Sequence, residues 1–143
     1  DTIWFLSFGF NRSGQTVGDE IRLGIYQATS NTNLYPNKLI IDAGTFTADT
    51  TGMKIGTIET KLLASTLYYL VFTMTGTAAS PTVDVTEINV DDCLAILGVD
   101  EQLGTAGLGV NVDFTYGTLP STFPSGGTVS ALDFPGIGVR YVA

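Results

Sequence analysis

Four carboxylates crowd one short segment: "DVTEINVDD" places Asp84, Glu87, Asp91 and Asp92 within nine residues. Two kinds of chemistry use such side chains. A pair about 5–9.5 Å apart hydrolyses a glycosidic bond, as acid and base or as acid and nucleophile. A group of them coordinates Ca²⁺ through oxygen. The spacing matches no D-x-D-x-D-G calcium loop. Solvated turn residues and a helix cap have the same composition, and the segment reads first as a polar connection.

A second set combines rings with amides. The stretch "ATSNTNLYPNK" carries Asn31, Asn33, Tyr35 and Asn37. Sugars ask for that mix, because their C–H faces stack on rings while their hydroxyls pair with amides. The alternative is that Tyr35 packs back on the body of the protein while Pro36 fixes the turn. In "FTYGTLPSTFP", Tyr116 and Phe123 flank a Pro-bearing loop in the same way. They line a sugar site, an intersubunit contact, or a small core under the loop. Asn33, Tyr35 and Tyr116 are therefore the candidate ligand-binding residues, and both readings of them stay open. Trp4 in "IWFLSFGF" reads as core or interface. "GLGVNV" lacks the G-x-G-x-x-G spacing of a nucleotide loop.

What is missing narrows the chemistry further. The chain has no histidine and one cysteine, Cys93. That removes Ser-His-Asp and Cys-His nucleophiles, His-ligated metals and thiolate clusters. No metal or other cofactor is expected, and no enzymatic activity. Cys93, in "DDCLAILG", reads as a small buried hydrophobe.

These residues need a scaffold, and the composition indicates which kind. A chain of 143 residues suits one domain, assigned here to residues 1–143. That length is enough for a core without disulfides. Charged residues make up 14 %, against a usual value of about 25 %. The surface must then be mostly Thr, Ser, Asn and Gly. Six basic residues against fourteen acidic ones give −8. That balance excludes a phosphate-tracking stripe for nucleic acid and disfavours anionic membranes. No apolar run has the length of a membrane helix. "DTIWFLSFGF" lacks the basic n-region of a secretory signal. Opening on Asp1 rather than Met, the sequence reads as a fragment or a processed product.

Alternation of apolar and polar residues predicts strands in "TIWFLSFGF", "EIRLGIYQ", "KLIIDAGTFT", "MKIGTIET", "TLYYLVFTMTG", "PTVDVTEINV", "AGLGVNVDFTYG" and "GIGVRYVA". "TLYYLVFTMTG" is apolar on both faces and reads as a central strand. One helix of at most two turns fits "VDDCLAILG". Pro120 and Pro124 make residues 119–128 the most loop-like stretch. The expected fold is all-β: an antiparallel sandwich, jelly-roll-like, of about eight strands. Open sandwiches leave unpaired edges, and this chain has few charges to blunt them, so association with copies of itself is expected.

The segments "RLGIYQ", "YPNKLIIDAGTF", "TTGMKIGTI", "LYYLVF", "SPTV", "LG", "TYGTLPSTFP" and "GVRYVA", in this order, cover roughly residues 20–143. Together they resemble the distal β-sandwich domain of bacteriophage tail-fibre and related virion structural proteins. The resemblance implies an all-β domain at the end of a fibre. It also implies a trimer associated with other virion proteins and contact with a host surface glycan. No catalytic residue carries over, since the shared pieces are strand ends and turns. A head-decorating protein of the capsid surface is the alternative that the resemblance leaves open.

Overall fold

Strand formation follows the predicted alternation closely. The computed structural model describes residues 3–10, 18–47, 52–63, 65–75, 109–130 and 137–142. They contain β1 (Ile3–Phe10), β2 (Glu20–Ala28), β3 (Pro36–Thr47), β4 (Gly52–Glu59), β5 (Tyr68–Met74), β6 (Gly109–Asn111), β7 (Thr128–Ser130) and β8 (Ile137–Val142). Six are six residues or longer; β6 and β7 have three residues each. No helix occurs among the described residues. The candidate strand at residues 81–90, the candidate helix around Cys93, and Asp84, Glu87, Asp91 and Asp92 all lie outside the described residues.

Every strand pairing among the described residues is antiparallel. One sheet has the order β4-β1-β8, a second β3-β2-β5, and β6 pairs with β7. Strand β3 is the irregular one. It sets twelve residues against nine of β2, and register shifts leave Asn37, Ile40 and Ala43 without a partner across β2. Extra residues of this kind bend a strand and increase its twist. Gly44, at φ +81°, sits at one of these shifts. An L-residue with a side chain adopts that backbone only under strain.

Strand β2 is where the core sits. Ile21, Leu23 and Ile25 alternate onto one face, are fully buried, and pack with buried Ile58 of β4. Ile41, Phe46, Leu62, Tyr68, Phe72 and Met74 surround them. On the opposite face Tyr26 is buried with Leu119 and Phe123. Leu39, Tyr69, Val71, Val112 and Phe114 close around that second cluster. Each fully buried side chain of this size contributes about 1.5–3 kcal/mol relative to exposure.

Two expectations are corrected. The strand predicted within residues 66–76 covers Tyr68–Met74 and, among the described residues, does not lie between two neighbours. Among the described residues β5 pairs with β2 alone, and Leu70 is 37 % exposed. β5 is apolar on both faces because each face of its sheet carries a core cluster, which does not require a strand on either side. Residues 106–117 are also not one strand, since pairing ends at Asn111. Beyond it Val112 and Phe114 turn toward the Tyr26 cluster while Asp113 and Thr115 stay exposed. There the period of two reports a segment lying over a sheet, not a strand laddered within one.

Candidate functional site

The segment Leu119–Pro124 crosses the Tyr26 face of the β3-β2-β5 sheet and is held at each step. Leu119 enters a slot that exists because residue 24 has no side chain. A Cβ built on Gly24 would lie 2.3 Å from Leu119 Cδ1 and 3.0 Å from the Ile41 carbonyl oxygen. The Leu119 N–H donates to Asp42 Oδ2 at 3.1 Å. The Tyr26 hydroxyl donates to the Pro120 carbonyl at 2.6 Å. Backbone bonds then run to the edge of β3, from the Leu39 N–H to the Ser121 carbonyl (3.0 Å) and from the Phe123 N–H to the Asn37 carbonyl (2.7 Å). They frame a bridge between Lys38 and Thr122. The Phe123 ring meets Tyr26 edge-on at a centroid distance of 5.2 Å and Tyr35 at 5.9 Å.

Tyr35 thus packs back on the body of the protein. Its hydroxyl donates to the Pro124 carbonyl at 2.7 Å and accepts from the Gly127 N–H at 2.9 Å. Gly127 has to be small here, because a Cβ would meet Val110 at 2.6 Å and the Tyr35 oxygen at 2.8 Å. Tyr35 also ends the loop that precedes β3. That loop is closed on itself: the Thr29 N–H donates to the Tyr35 carbonyl (2.9 Å) and the Ser30 N–H to the Asn33 carbonyl (3.0 Å). Ser30 Oγ accepts from the N–H groups of Thr32 and Asn33. Asn33 Oδ1 accepts from the Tyr35 N–H at 3.2 Å. The Tyr69 hydroxyl, from β5, donates to the Leu34 carbonyl. What remains exposed is the run Thr29, Ser30, Asn31, Thr32 and Asn33.

Tyr116 belongs to a different environment. Its hydroxyl donates to Glu20 Oε2 at 3.1 Å and lies 3.3 Å from Thr45 Oγ1. Beside it Arg22 pairs with Asp42 at 2.5 Å and reaches Thr45 Oγ1 at 3.3 Å. The Arg22 Nε is buried and has no hydrogen-bond partner among the described residues. Burial disfavours the Arg22 charge, but its bonds to Asp42 and Tyr116 outweigh that and hold its pKa above the ordinary value. Burial likewise works against the Asp42 carboxylate. It is outweighed by the N–H groups of Gly44 and Leu119 and by Arg22, which together hold its pKa below the ordinary value. The Tyr26 hydroxyl is pushed up to about 12 by burial, with the Asp42 charge adding to the effect. Burial also raises that of Tyr69.

The three candidate residues therefore do not form one site. Asn33 and Tyr35 stand at the Ala28 end of β2, where Ala28 pairs with Pro36, and Tyr116 stands at the Glu20 end. Nine residues of strand separate the two ends by about 26 Å. Among the described residues no three acidic, Cys or His side chains cluster as metal ligands. No helix among them is long and apolar enough to cross a membrane. Tyr26, Tyr69 and Asp42 hold the loops in place without having been singled out from the sequence. One signal for them was present: Gly24, inside a strand of Ile, Leu and Tyr, marks a place where another chain segment comes close. The chain matches no known family model, and no curated protein or solved structure is significantly similar to it.

Proposed function

We propose that this chain is a non-enzymatic virion structural protein, a tail-fibre-type domain that binds a carbohydrate on the surface of a bacterial host. Its architecture in this reading is a jelly-roll-like sandwich of two antiparallel sheets, assembled as a trimer with other virion proteins. The burial of Ile58 from one sheet against Ile21, Leu23 and Ile25 of the other supports the two-layer arrangement. The resemblance of residues 20–143 to fibre-tip domains supplies the class.

One observation carries the recognition role. The exposed run Thr29–Asn33 presents hydroxyls and amides on a loop already fixed by its own hydrogen bonds and anchored through Tyr35. A sugar meeting such a loop does not have to order it, which removes a large entropic cost of binding. Asn33 and its neighbour Asn31 make the contact. Tyr35 is the support beneath them, and Tyr116 is a separate contact point at the other end of the sheet. Host-cell adsorption and a glycan array with the isolated chain test this directly. Asn31→Ala with Asn33→Ala is expected to abolish binding while the fold persists. Adsorption equal to that of the wild type refutes the assignment.

A second reading has its own support. Leu63 and Val129 are both more than half exposed, and Leu70 lies on β5, an edge strand among the described residues. Apolar side chains in such places fit protein–protein packing on a capsid surface, as in a decoration protein. Co-sedimentation with phage heads lacking decoration, unaffected by the Asn31 and Asn33 substitutions, would favour it.

A further inference from the structure

Among the described residues strand β3 lies at the edge of its sheet, and an open strand edge is a template for pairing with another chain. In this protein part of that edge is occupied from within. The Leu39 N–H and the Asn37 carbonyl, the groups that would receive an added strand, are bonded to Ser121 and Phe123. We propose that Leu119–Pro124 is an edge guard: a strap that fills the strand-addition site of β3 in cis and so excludes the β3 edge of a second copy of this chain. The inference is independent of the carbohydrate reading.

Three features mark the strap as a terminator and not simply another strand. First, it is short. The bridge involves only the pair Lys38 and Thr122, with one backbone bond on each side. Second, it cannot pass the edge on. In this bridging geometry the backbone groups of Ser121 and Phe123 turn toward β3, so only those of Thr122 turn outward. Pro120 and Pro124 stand on either side and have no N–H to offer. Third, it is anchored by more than its two backbone bonds. Leu119 fills the slot over Gly24, Tyr26 holds the Pro120 carbonyl, and Phe123 lies between the rings of Tyr26 and Tyr35. A competing β3 edge from another copy could replace the two backbone bonds. It could not replace these side-chain anchors, because its own strap would still be seated on its own sheet.

The guard is local. It covers the edge at Asn37–Leu39, next to Pro36, which has no N–H of its own to present. The strap therefore guards the stretch of β3 that directly follows the Thr29–Asn33 loop.

Amide hydrogen exchange and sedimentation velocity on the chain test the proposal together. In the wild type the Leu39 amide is expected to exchange slowly, as a bonded group does. Leu119→Ala combined with Phe123→Ala removes two anchors. It is expected to accelerate Leu39 exchange by about tenfold or more. It should also produce concentration-dependent species larger than those of the wild type. Excess synthetic peptide of sequence TLPSTFP, residues 118–124, should return sedimentation to the wild-type pattern by reoccupying the edge. If the double variant does not fold, Tyr26→Phe makes the same test, since it removes only the bond to Pro120. Two results would overturn the proposal: a wild-type Leu39 amide that exchanges as fast as in the loosened variant, or a folded, loosened variant that sediments like the wild type at every concentration.

Discussion

The most informative single perturbation is Gly24→Ala. Gly24 does not have a positive φ, so alanine is not resisted by the backbone conformation. Replacing glycine in the extended chain would by itself stabilise the protein by about 0.4–1 kcal/mol, through the unfolded state. Space decides the outcome instead. The added methyl would stand 2.3 Å from Leu119 Cδ1 and 3.0 Å from the Ile41 carbonyl, far inside contact distance for the first. The carbonyl belongs to β3, whose register with β2 is fixed at Ile25 and Ile41, so it has little room to move. Leu119 has to yield. If it leaves its slot, most of the roughly 1.5–3 kcal/mol from its burial is lost. If it stays in a distorted rotamer, overpacking costs about 1–3 kcal/mol. After the backbone gain, the expected net loss is about 1–2 kcal/mol.

A double-mutant cycle separates this steric account from a general dislike of alanine in β2. Leu119→Ala alone should cost about 2–5 kcal/mol, as a large-to-small change at a buried site. With Leu119 shortened, the methyl added at position 24 loses its 2.3 Å clash with Leu119 Cδ1, keeps the 3.0 Å approach to the Ile41 carbonyl, and partly fills the vacated slot. The double variant should therefore be more stable than the sum of the single effects predicts, by about 1 kcal/mol or more. Urea unfolding followed by circular dichroism measures all four species, with the slopes compared to confirm that the folded states are alike. A neutral or stabilising Gly24→Ala, or effects that simply add, would refute the Leu119 slot.

Four further outcomes are expected. Gly44→Ala should cost about 1–2 kcal/mol from backbone strain alone, because φ is +81° and nothing lies within 4 Å of the new methyl; urea midpoints measure it. Tyr35→Phe should lower stability by about 1–2 kcal/mol and speed exchange of the Gly127 amide, which donates to the lost oxygen. On acidification, the stability from Asp42 is present above its unfolded pKa of about 3.9 and lost as pH falls through the lower folded value, so Asp42→Asn should flatten the acid limb of a plot of urea midpoint against pH. On the alkaline side, Tyr26 stays protonated up to about 12 in the folded state. Its contribution is therefore complete below the unfolded pKa of about 10 and lost progressively as pH rises toward about 12, and tyrosinate absorbance should show this phenol titrating well above pH 10 in the wild type and nearer its ordinary value in Tyr26-exposing variants such as Phe123→Ala.

Strand positions were legible in the sequence because alternation is a local property. "EIRLGIYQ" declares which residues share a face, and the structure puts Ile21, Leu23 and Ile25 together on one. What alternation leaves unsaid is what lies opposite each face. The period of two in "GVNVDFTYG" stands mostly for a segment draped over a sheet, and the unbroken apolar run in "TLYYLVFTM" for a strand with two covered faces that pairs, among the described residues, with β2 alone. The roles of the rings were hidden for a related reason. Tyr35 could be given an apolar packing partner or a ligand with equal ease, because its actual partners, Phe123, Pro124 and Gly127, come from about ninety residues further along the chain. The three bulges in β3 had no local signature beyond Gly44 and Pro36.

The tyrosines show how a domain with so few charges keeps its loops in place. Tyr26, Tyr35 and Tyr69 each send a hydroxyl to a backbone carbonyl in a connecting segment: Pro120, Pro124 and Leu34. A phenol suits this position because its ring adds to the core while its tip satisfies a carbonyl that no strand partner reaches. Two of those carbonyls belong to proline, a residue that ends ladders and leaves its neighbours' backbone groups in need of other partners. The fit between Pro-bearing loops and inward-facing tyrosines therefore has a single cause: each loop that leaves the ladder has to be tied to the core from the side. Phe in place of any one of these tyrosines keeps the ring and removes the tie. The position of the affected loop, and not the overall fold, should then be what changes.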